Sequence, residues 1–571
     1  MTYTPPVAEQ RFALDTCAGL GDLVDGDLVE AILEGAGTFA AGEWAPLNRV
    51  GDTVGAKLTD TGVVLPDGFH AAYQAYVDGG WGTVGGPEQY GGQALPFTLQ
   101  TVVQEDLGTA NMAFGLVTML SYGAIEALDA HGSDELKRRY LPKLVSGEWT
   151  GTMNLTEPQA GSDVGALRTS ATPAGDGSWR IKGQKIYITF GDHDLTDNIV
   201  HLVLARTPDA PLGTRGISLF LVPKFRLTAD GAPGEPNDAK AVSIEHKLGI
   251  HASPTCTMVY GDEDDCHGWL IGLEHGGLRA MFTMMNNARI NVGGQGVQIG
   301  ERATQAAVDY ATNRIQSARA GGASRDSVAI IDHPDVRRML LRMKALTEAA
   351  RALLYQACGA VDRGAAGDAD ARSLADLLTP LIKAYGTDLG EEVASIGIQV
   401  HGGMGYVEET GAAQHLRDAR IAAIYEGTNG IQAADLVGRK LGLESGQVFD
   451  RHLAACRAEA GDHPALGELL DACARVAEGY RSASVDDRLA GSVPFLEMVA
   501  TASCGALMAR QGRAANARVA GGEEAGWLRM KGLTTGFYLD HIVPAATGLE
   551  RAAAAGSHGF YSLPAEAFLA A

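Results

Sequence analysis

Three stretches of the chain carry residues that could hold a ligand. Residues 155–163 read Leu-Thr-Glu-Pro-Gln-Ala-Gly-Ser-Asp, and the Gly-Ser-Asp end can present backbone N–H groups and hydroxyls to a polar ligand. Residues 399–406 read Gln-Val-His-Gly-Gly-Met-Gly-Tyr, in which closely spaced glycines allow a ligand to approach the backbone. Taken alone, the first stretch is equally typical of a turn-rich connection, and the second of a turn between two helices.

The third stretch contains a single carboxylate. Residues 424–432 read Ile-Tyr-Glu-Gly-Thr-Asn-Gly-Ile-Gln, so Glu426 precedes a predicted helix start. Asn429 and Gln432 have the spacing of a capping box, which predicts that Asn429 caps this helix. Taken alone, Glu426 is typical of an acidic residue that interacts favourably with the dipole at a helix N-terminus.

Strands are predicted in the region that follows residue 149. Residues 179–182 come directly after the turn signal Asp176-Gly177, as expected of a hairpin strand. Residues 198–205 and 217–222 are two further strand candidates, separated by a loop rich in proline and glycine. The glycine-containing stretch at 155–163 therefore lies at the beginning of a β domain.

Helical regions flank this β domain on both sides. Residues 98–145 have the apolar spacing of helices, and helical spacing returns from residue 276, with a predicted loop at 318–327 between two long helices. The tail after residue 443 is rich in alanine and keeps apolar residues, which favours an added helical domain. The sequence therefore predicts four domains: a helical domain at 1–148, a β domain at 149–272, a helical bundle at 273–443 and an additional helical domain at 444–571.

Composition excludes several classes of protein. The 571 residues carry a formal net charge of -23, which argues against binding to nucleic acid. No apolar run reaches the roughly 18 residues of a membrane-spanning helix, and the first residues do not have the pattern of a secretory signal, so a cytoplasmic location is expected. The seven cysteines are scattered and form no Cys-x-x-Cys pair, so neither a disulfide framework nor a metal site is expected.

Four motifs in order give the chain a specific resemblance. The stretch at 155–163, the segment Gly-Gln-Lys-Ile-Tyr-Ile-Thr at 183–189, and the stretches at 399–406 and 424–432 together resemble the acyl-CoA dehydrogenase family over residues 98–443. The flanking parts resemble a longer bacterial subgroup, which includes mycobacterial-type long-chain enzymes and 3-methylmercaptopropionyl-CoA dehydrogenases. Three segments and the helical tail after residue 443 carry that likeness: residues 191–196, 245–251 and 284–289.

The resemblance implies an FAD-dependent α,β-dehydrogenation of acyl-CoA thioesters to trans-2-enoyl-CoA. In the family the glutamate at the position of Glu426 removes the α-proton, while the β-hydrogen leaves as hydride. Two hydrogen bonds to the thioester oxygen stabilise the developing charge, and one of them comes from the backbone N–H of this glutamate. Substrate contacts are expected at Ser162, Arg289, Glu426 and Gly427, although a salt bridge in the core is an equally good explanation for Arg289.

The resemblance also implies a set of flavin contacts. Tyr187 stands where the family usually has tryptophan, and the residues around Arg314 depart from the usual family pattern at the arginine that meets the pyrophosphate. No metal is expected. The implied FAD-binding residues are Met153, Leu155, Thr156, Gly161, Ser162, Tyr187, Ile188, Thr189, Arg314, Gln399, Gly402, Gly403, Thr428 and Gln432.

The expected fold is that of the family: mainly α with a central β domain, built from an N-terminal helical domain, a β-barrel-like middle domain and a helical bundle, plus an extra C-terminal helical domain. The expected substrates are saturated acyl-CoAs of medium to long chain or a broad range. A 3-methylmercaptopropionyl-CoA dehydrogenase is the alternative, and an acyl-CoA oxidase is the lesser one. A homodimer that passes electrons to electron-transfer flavoprotein is expected.

Other readings of the same residues fit less well. The glycines at 294, 296 and 300 do not have the spacing of a nicotinamide-binding motif and lie in a helical region. A nitroalkane oxidase of this fold would carry aspartate in place of Glu426, and a noncatalytic relative would have lost the carboxylate.

Overall fold

The computed structural model describes residues 3–569 and divides them into two compact units. The N-terminal unit comprises residues 3–5 and 27–291. The C-terminal unit comprises residues 6–26 and 292–569.

The helices of the N-terminal unit are amphipathic or fully buried. Every residue of α5 is buried, and α6 is exposed only near its C-terminal end. Asn111 caps α6 through a hydrogen bond from the Phe114 N–H, and Ser133 caps α7 in the same way. The predicted helical region at 98–145 is thereby confirmed. The helices of this unit are α2 (Gly26–Phe39), α3 (Leu47–Val54), α4 (Phe69–Asp78), α5 (Phe97–Ala110), α6 (Met112–His131) and α7 (Asp134–Ser146).

The β domain contains an eight-stranded sheet in the order β10-β11-β5-β12-β7-β6-β3. The strand β4 pairs with both β5 and β6, so that β4, β5, β12, β7 and β6 form a closed ring. The predicted strands at 179–182, 198–205 and 217–222 are all present. The strands are β1 (Lys57–Thr59), β2 (Gly62–Val64), β3 (Thr150–Asn154), β4 (Ser170–Pro173), β5 (Trp179–Thr189), β6 (Ile199–Arg206), β7 (Ile217–Pro223), β8 (Phe225–Leu227), β9 (Pro233–Pro236), β10 (Ala239–Ile244), β11 (Thr255–Tyr260) and β12 (His267–Ile271).

The long helix α8 (Gly277–Asn313) contributes residues to both units, and the loop that follows it contains the predicted connection at 318–327. In the C-terminal unit α8 and α10 approach until their backbones touch. A Cβ on Gly296 would lie 1.7 Å from the Gly386 carbonyl oxygen, so only glycine fits there. The other helices are α1 (Val7–Ala13), α9 (Pro334–Ala365), α10 (Ala369–His401), α11 (Ala412–Ala419), α12 (Asn429–Gly438), α13 (Gln447–Ala460), α14 (Pro464–Ser482), α15 (Val485–Ala490), α16 (Ser492–Ala520), α17 (Gly526–Phe537), α18 (Val543–Thr547) and α19 (Glu550–Ala554).

The chain after residue 443 is a set of packed helices, as predicted. One of them, α16, is long and apolar enough to cross a membrane, but 83% of its most apolar window is buried inside the protein, as in a core helix. A buried ion cluster joins these helices to the start of the chain. Lys531 on α17 lies 2.9 Å from Glu348 on α9 and also contacts Glu9 on α1, within the segment 6–26 that belongs to the same unit.

Candidate active site

The loop at residues 155–163 is anchored by a buried ion pair in the N-terminal unit. The Glu157 carboxylate accepts hydrogen bonds from the backbone N–H groups of Arg168, at 2.7 Å, and Thr169, at 3.0 Å. Its Oε1 lies 2.8 Å from Lys185 Nζ. Burial opposes ionisation of Glu157, but the Lys185 ammonium and the N–H donors outweigh burial and lower the pKa of Glu157 to about 2. The loop is therefore held by a charged carboxylate.

Strand β5 brings a second predicted segment to this loop. Lys185 Nζ donates to the Leu155 carbonyl at 3.0 Å, and the Ile186 N–H donates to the Thr156 carbonyl at 3.0 Å. The next residue of β5 is Tyr187. Two of the four motifs are therefore tied together within one unit.

The end of β5 has an unusual backbone. Tyr187 has a φ of 61°, a left-handed conformation that is rare for an aromatic residue, and 61% of its surface is exposed. Ile188 packs in the core of the barrel, and Thr189 is half-buried. This segment therefore presents the Tyr187 ring to the surroundings, whereas Ile188 can offer a ligand only its backbone. Met153, on β3, is also buried.

The Gly-Ser-Asp end of the loop is open. Gly161 and Ser162 are exposed, and a Cβ built on Gly161 would have no other atom within 4 Å. The backbone at Gly161 is therefore accessible to a ligand, as predicted from the residue types.

Arg289 is buried on the part of α8 that belongs to the N-terminal unit. Two residues earlier, Asn287 Nδ2 donates to Glu126 Oε1 on α6 at 2.5 Å. Burial raises the pKa of Glu126 to about 8, although the hydrogen bond from Asn287 acts in the opposite direction. Burial therefore favours the protonated Glu126 carboxyl near pH 7.

In the C-terminal unit, Glu426 occupies a strained turn. Glu426 has a φ of 55° and Gly427 a φ of 84°, and the left-handed backbone at a non-glycine residue costs about 1–3 kcal/mol. Such a conformation persists only when its surroundings hold it in place. The hydroxyl of Tyr425 donates to Gln295 Oε1 on α8, and Thr428 fixes the other end of the turn because its Oγ1 accepts from the Ile431 N–H at 3.3 Å.

The predicted cap of α12 is wrong by one residue. Thr428, not Asn429, is the N-cap, because only the side chain of the residue just before the helix can reach the N–H groups of its first turn. The side chain of Asn429 instead bonds to α10. Gln432 does not close a capping box either, since its Nε2 donates to the carbonyls of Glu426, at 3.4 Å, and Gly427, at 3.3 Å.

The end of α10 carries the remaining predicted contacts. Gln399, Gly402 and Gly403 are exposed, and a Cβ on either glycine would have no other atom within 4 Å. The ring of His401 lies 4.5 Å from the ring of Tyr310 near the end of α8. The C-terminal ends of α8 and α10 therefore lie side by side. Arg314, one turn beyond Tyr310, is exposed at this end.

Each unit contains residues that are suited to contact a flavin dinucleotide. Gly161 leaves its backbone open beside the exposed Tyr187 ring in the N-terminal unit. In the C-terminal unit, Gln432 is 1% exposed, and its Oε1 has no hydrogen-bond partner among the described residues. A buried amide oxygen without a partner is costly unless a ligand supplies a donor. The individual flavin contacts remain predictions.

Some residues that shape the site were not singled out from the sequence. Lys185 sits in an alternating strand and resembles a surface lysine. Lys383 looks like one more polar residue of a helix, yet it is fully buried and contacts Asn429. Only the pairing of each lysine with a distant partner reveals its role.

A β barrel with open loops and a helical bundle that holds a carboxylate on a strained turn are the features expected of a flavin-dependent dehydrogenase. Models of one family match the chain in order. The models described as acyl-CoA dehydrogenase N-terminal domain, middle domain and C-terminal domain match residues 29–148, 152–262 and 275–441. A model described as acetyl-CoA dehydrogenase C-terminal like matches residues 448–564.

Curated relatives cover nearly the whole chain. The 3-methylmercaptopropionyl-CoA dehydrogenase of Ruegeria pomeroyi is 45% identical over 95% of this chain and 96% of its own. A butyryl-CoA dehydrogenase of Syntrophomonas wolfei is 37% identical over 92% of this chain and 91% of its own. The broad-specificity linear acyl-CoA dehydrogenase FadE5 of Mycobacterium tuberculosis is 34% identical over 85% of each chain.

Solved structures show the same fold. Caenorhabditis elegans ACDH-11 in complex with C11-CoA has a TM-score of 0.77 at 20% identity, covering 98% of this chain and 96% of its own. An acyl-CoA dehydrogenase of Bacillus anthracis complexed with FAD has a TM-score of 0.75 at 21% identity, covering 95% and 90%. A chain from a structure of the electron transferring flavoprotein of Acidaminococcus fermentans has a TM-score of 0.60 at 25% identity, covering 72% and 97%.

The chain belongs to the acyl-CoA dehydrogenase family. It is accordingly an FAD-dependent oxidoreductase that acts on a CH–CH group of an acyl-CoA. The expected fold, cofactor and enzyme class are confirmed, as is the likeness to the longer bacterial subgroup.

Proposed function

We propose that this enzyme dehydrogenates short acyl-CoA thioesters, with Glu426 as the base that removes the α-proton and 3-methylmercaptopropionyl-CoA as the first substrate to test. The observation that supports Glu426 is its placement on a strained turn fixed by Tyr425 and Thr428. Backbone strain of this kind is typical of active sites, because it aims one side chain and one N–H group in a set direction.

In this proposal the residues of the chain divide the work between proton transfer and charge stabilisation. The Glu426 carboxylate accepts the α-proton, and its own backbone N–H donates to the thioester oxygen as negative charge develops there. Bound FAD would supply the acceptor for the β-hydrogen, which leaves as hydride. Ser162, Arg289 and Gly427 are proposed to hold the substrate, and the fourteen residues implied by the resemblance are proposed to hold FAD.

One observation supports a short acyl chain. The relatives named for 3-methylmercaptopropionyl-CoA and butyryl-CoA are 45% and 37% identical over more than nine-tenths of this chain.

Broad activity on medium to long linear chains is the second candidate, supported by the broad-specificity relative at 34% identity. The two candidates differ in one experiment. The purified enzyme is titrated without oxygen with 3-methylmercaptopropionyl-CoA and with saturated acyl-CoAs of four, eight and sixteen carbons, while the flavin absorbance is followed.

The proposal expects the short thioesters to bleach the flavin fastest and at the lowest concentration. A steady rise in kcat/KM with chain length would replace it by the second candidate. Admission of air then separates a dehydrogenase from an oxidase, because an oxidase regains its flavin colour rapidly and produces peroxide.

We further propose a homodimer in the cytoplasm that passes electrons to electron-transfer flavoprotein. Large apolar side chains are exposed beside the glycines at 402 and 403, with Tyr406 89% and Ile315 61% exposed, and such surfaces commonly mark an interface. A molar mass of twice 59.7 kDa by light scattering is expected. Reoxidation of the reduced enzyme by purified electron-transfer flavoprotein, and not by nicotinamide cofactors, is expected as well.

The four-domain division at 1–148, 149–272, 273–443 and 444–571 also stays a proposal. The ranges of the matching family models support it, because each lies within one proposed domain. Limited proteolysis is expected to cut near residues 148, 272 or 443, in addition to the exposed loop that contains residues 318–327.

A further inference from the structure

The side chain of Asn429 forms a clamp between the turn that carries Glu426 and helix α10. Asn429 Nδ2 lies within hydrogen-bond distance of three acceptors, Asp388 Oδ1 at 2.7 Å, Thr387 Oγ1 at 3.0 Å and the Ala384 carbonyl at 3.2 Å, which share its two hydrogens. Asn429 Oδ1 accepts from Lys383 Nζ at 2.9 Å. All four partners lie within residues 383–388 of one helix.

The chemistry of these partners sets the orientation of the amide. The Lys383 ammonium can only donate, so it must face the amide oxygen, and the Asp388 carboxylate can only accept while it is ionised, so it must face the amide nitrogen. Ionised aspartate has no donor for Asp388, and leucine or alanine has neither donor nor acceptor, so none of them could satisfy both sides. This requirement for a side chain that both donates and accepts indicates more than filling of space.

The clamp lies three residues after Glu426, where the chain leaves the strained turn. Thr428 between them is used by the helix cap, and Gln432 donates to the carbonyls of the turn itself. The side chain of Asn429 makes the hydrogen bonds that connect this segment to α10. Lys383 is fully buried, whereas Asp388, on the next turn of α10, is exposed, so the anchor runs from a packed lysine to a carboxylate at the bundle surface.

We infer that Asn429 is a positioning residue, which sets the direction of the Glu426 carboxylate by tying its turn to Lys383 and Asp388 on α10. This inference rests on the proposed role of Glu426 as the base. Displacement of a reacting group by about 1 Å can lower the rate roughly 100-fold. Loss of the clamp therefore slows proton removal while the binding of substrate and FAD is kept.

The principal variant is Asn429→Asp, which keeps the size of the side chain and replaces its donor with an acceptor. Asp388 and Asn429 line a cavity of about 280 Å³ together with Glu392 and Glu497, so a carboxylate at position 429 meets an already acidic surface. We expect kcat to fall roughly 10- to 100-fold, with KM and FAD content nearly unchanged. We also expect a larger kinetic isotope effect with substrate deuterated at the α-carbon, since proton removal becomes more rate-limiting.

The double variant Asn429→Asp with Asp388→Asn restores the donor and acceptor in reversed order. An amide at position 388 can donate to a carboxylate at position 429, whose other oxygen pairs with Lys383. We expect kcat to rise again by roughly tenfold over the single variant, and the isotope effect to return toward that of the wild type. Asn516→Asp, the same change on an exposed face of α16, is the matched control and is expected to leave both quantities unchanged.

Three results would overturn the inference: wild-type kcat in Asn429→Asp, a loss of kcat with an unaltered isotope effect, or a double variant no better than the single one. If Asn429→Asp does not fold, Asn429→Ala removes the same hydrogen bonds without adding charge and is judged by the same readouts. Glu426→Gln is measured alongside. Full turnover in that variant refutes the base itself, whereas an inactive Glu426→Gln with an unaffected Asn429→Asp refutes only the clamp.

Discussion

Replacement of Lys185 by methionine tests whether the flavin loop depends on its buried ion pair. The side chains of Lys185 and Glu157 are 0% and 3% exposed, and their charged atoms are 2.8 Å apart. Methionine keeps most of the volume of lysine but removes the charge and the donor to the Leu155 carbonyl. Glu157 is then left as a buried carboxylate without its counter-ion.

The expected loss of stability can be estimated in two ways. Removal of one partner of a buried ion pair typically costs about 3–5 kcal/mol. The second estimate comes from the pKa of Glu157, which lies at about 2 in the folded protein against an ordinary 4.5. This depression corresponds to about 3 kcal/mol of stability that is present above pH 4.5 and is lost as pH falls toward 2. Burial, however, lowers the pKa of Lys185 to about 8, so the cost of burying the ammonium offsets much of this gain, and the expected loss follows from the first estimate, in which the carboxylate is left buried and unpaired.

The assay is urea unfolding followed by tryptophan fluorescence, together with the ratio of flavin to protein absorbance. Five of the six tryptophans lie in the N-terminal unit, so the signal reports mainly on the unit that holds the pair: Trp44, Trp81, Trp149, Trp179 and Trp269. We expect Lys185→Met to lower the free energy of unfolding by about 3–5 kcal/mol and to purify with less FAD.

Lys182→Met is the matched control on the same strand. Lys182 pairs with Asp264 at 2.6 Å, but both side chains are mostly exposed, so little change is expected. Equal losses of stability in the two variants would show that burial of the ion pair does not matter. Full FAD content in a destabilised Lys185→Met variant would show that the pair does not shape the flavin loop.

Two further predictions concern Glu126 and Gly161. Glu126 has a pKa of about 8 when folded against an ordinary 4.5, so the folded state binds more protons than the unfolded state between these values, and stability falls as pH rises from 4.5 to 8. Glu126→Gln should therefore raise the free energy of unfolding at pH 8 by a few kcal/mol and leave it unchanged at pH 4.5. Urea unfolding at both pH values measures this difference. A difference that does not change with pH would contradict the assignment of a neutral carboxyl. Gly161→Val has open space for its side chain and should unfold like the wild type, but it should bind FAD more weakly because the valine occupies the approach to the backbone, and an unchanged Kd for FAD would refute the proposed contact.

The strands and helices could be predicted because their patterns depend on local burial. Residues 199–206 and 217–223 form almost continuous apolar runs, and both are central strands of the barrel. Helical spacing around residue 276 likewise found the start of α8. In each case neighbouring elements bury one face or both faces of the element, and the spacing of its apolar residues follows that burial.

The parts of the site that could not be predicted depend on contacts between distant residues. The spacing of Asn429 and Gln432 suited a capping box, but the competition for Asn429 by Lys383 and Asp388 on α10 is invisible to local spacing. Alternation puts Lys185 on the same face as the buried Ile181, but lysine is seldom buried without a charged partner, and that partner, Glu157, lies 28 residues away in the sequence. The left-handed backbone at Glu426 is also a product of its anchors, since a glutamate alone does not favour it.

The most direct test of the central claim is a single-turnover comparison of wild-type enzyme with Glu426→Gln. Both are loaded with FAD and mixed without oxygen with 3-methylmercaptopropionyl-CoA or butyryl-CoA, and loss of the flavin absorbance is followed. If Glu426 is the base, the variant retains FAD and binds the thioester, but bleaches at least roughly 10²-fold more slowly, because a neutral amide cannot accept the α-proton. Bleaching of the variant at the wild-type rate would contradict the account, and the base would have to be another residue.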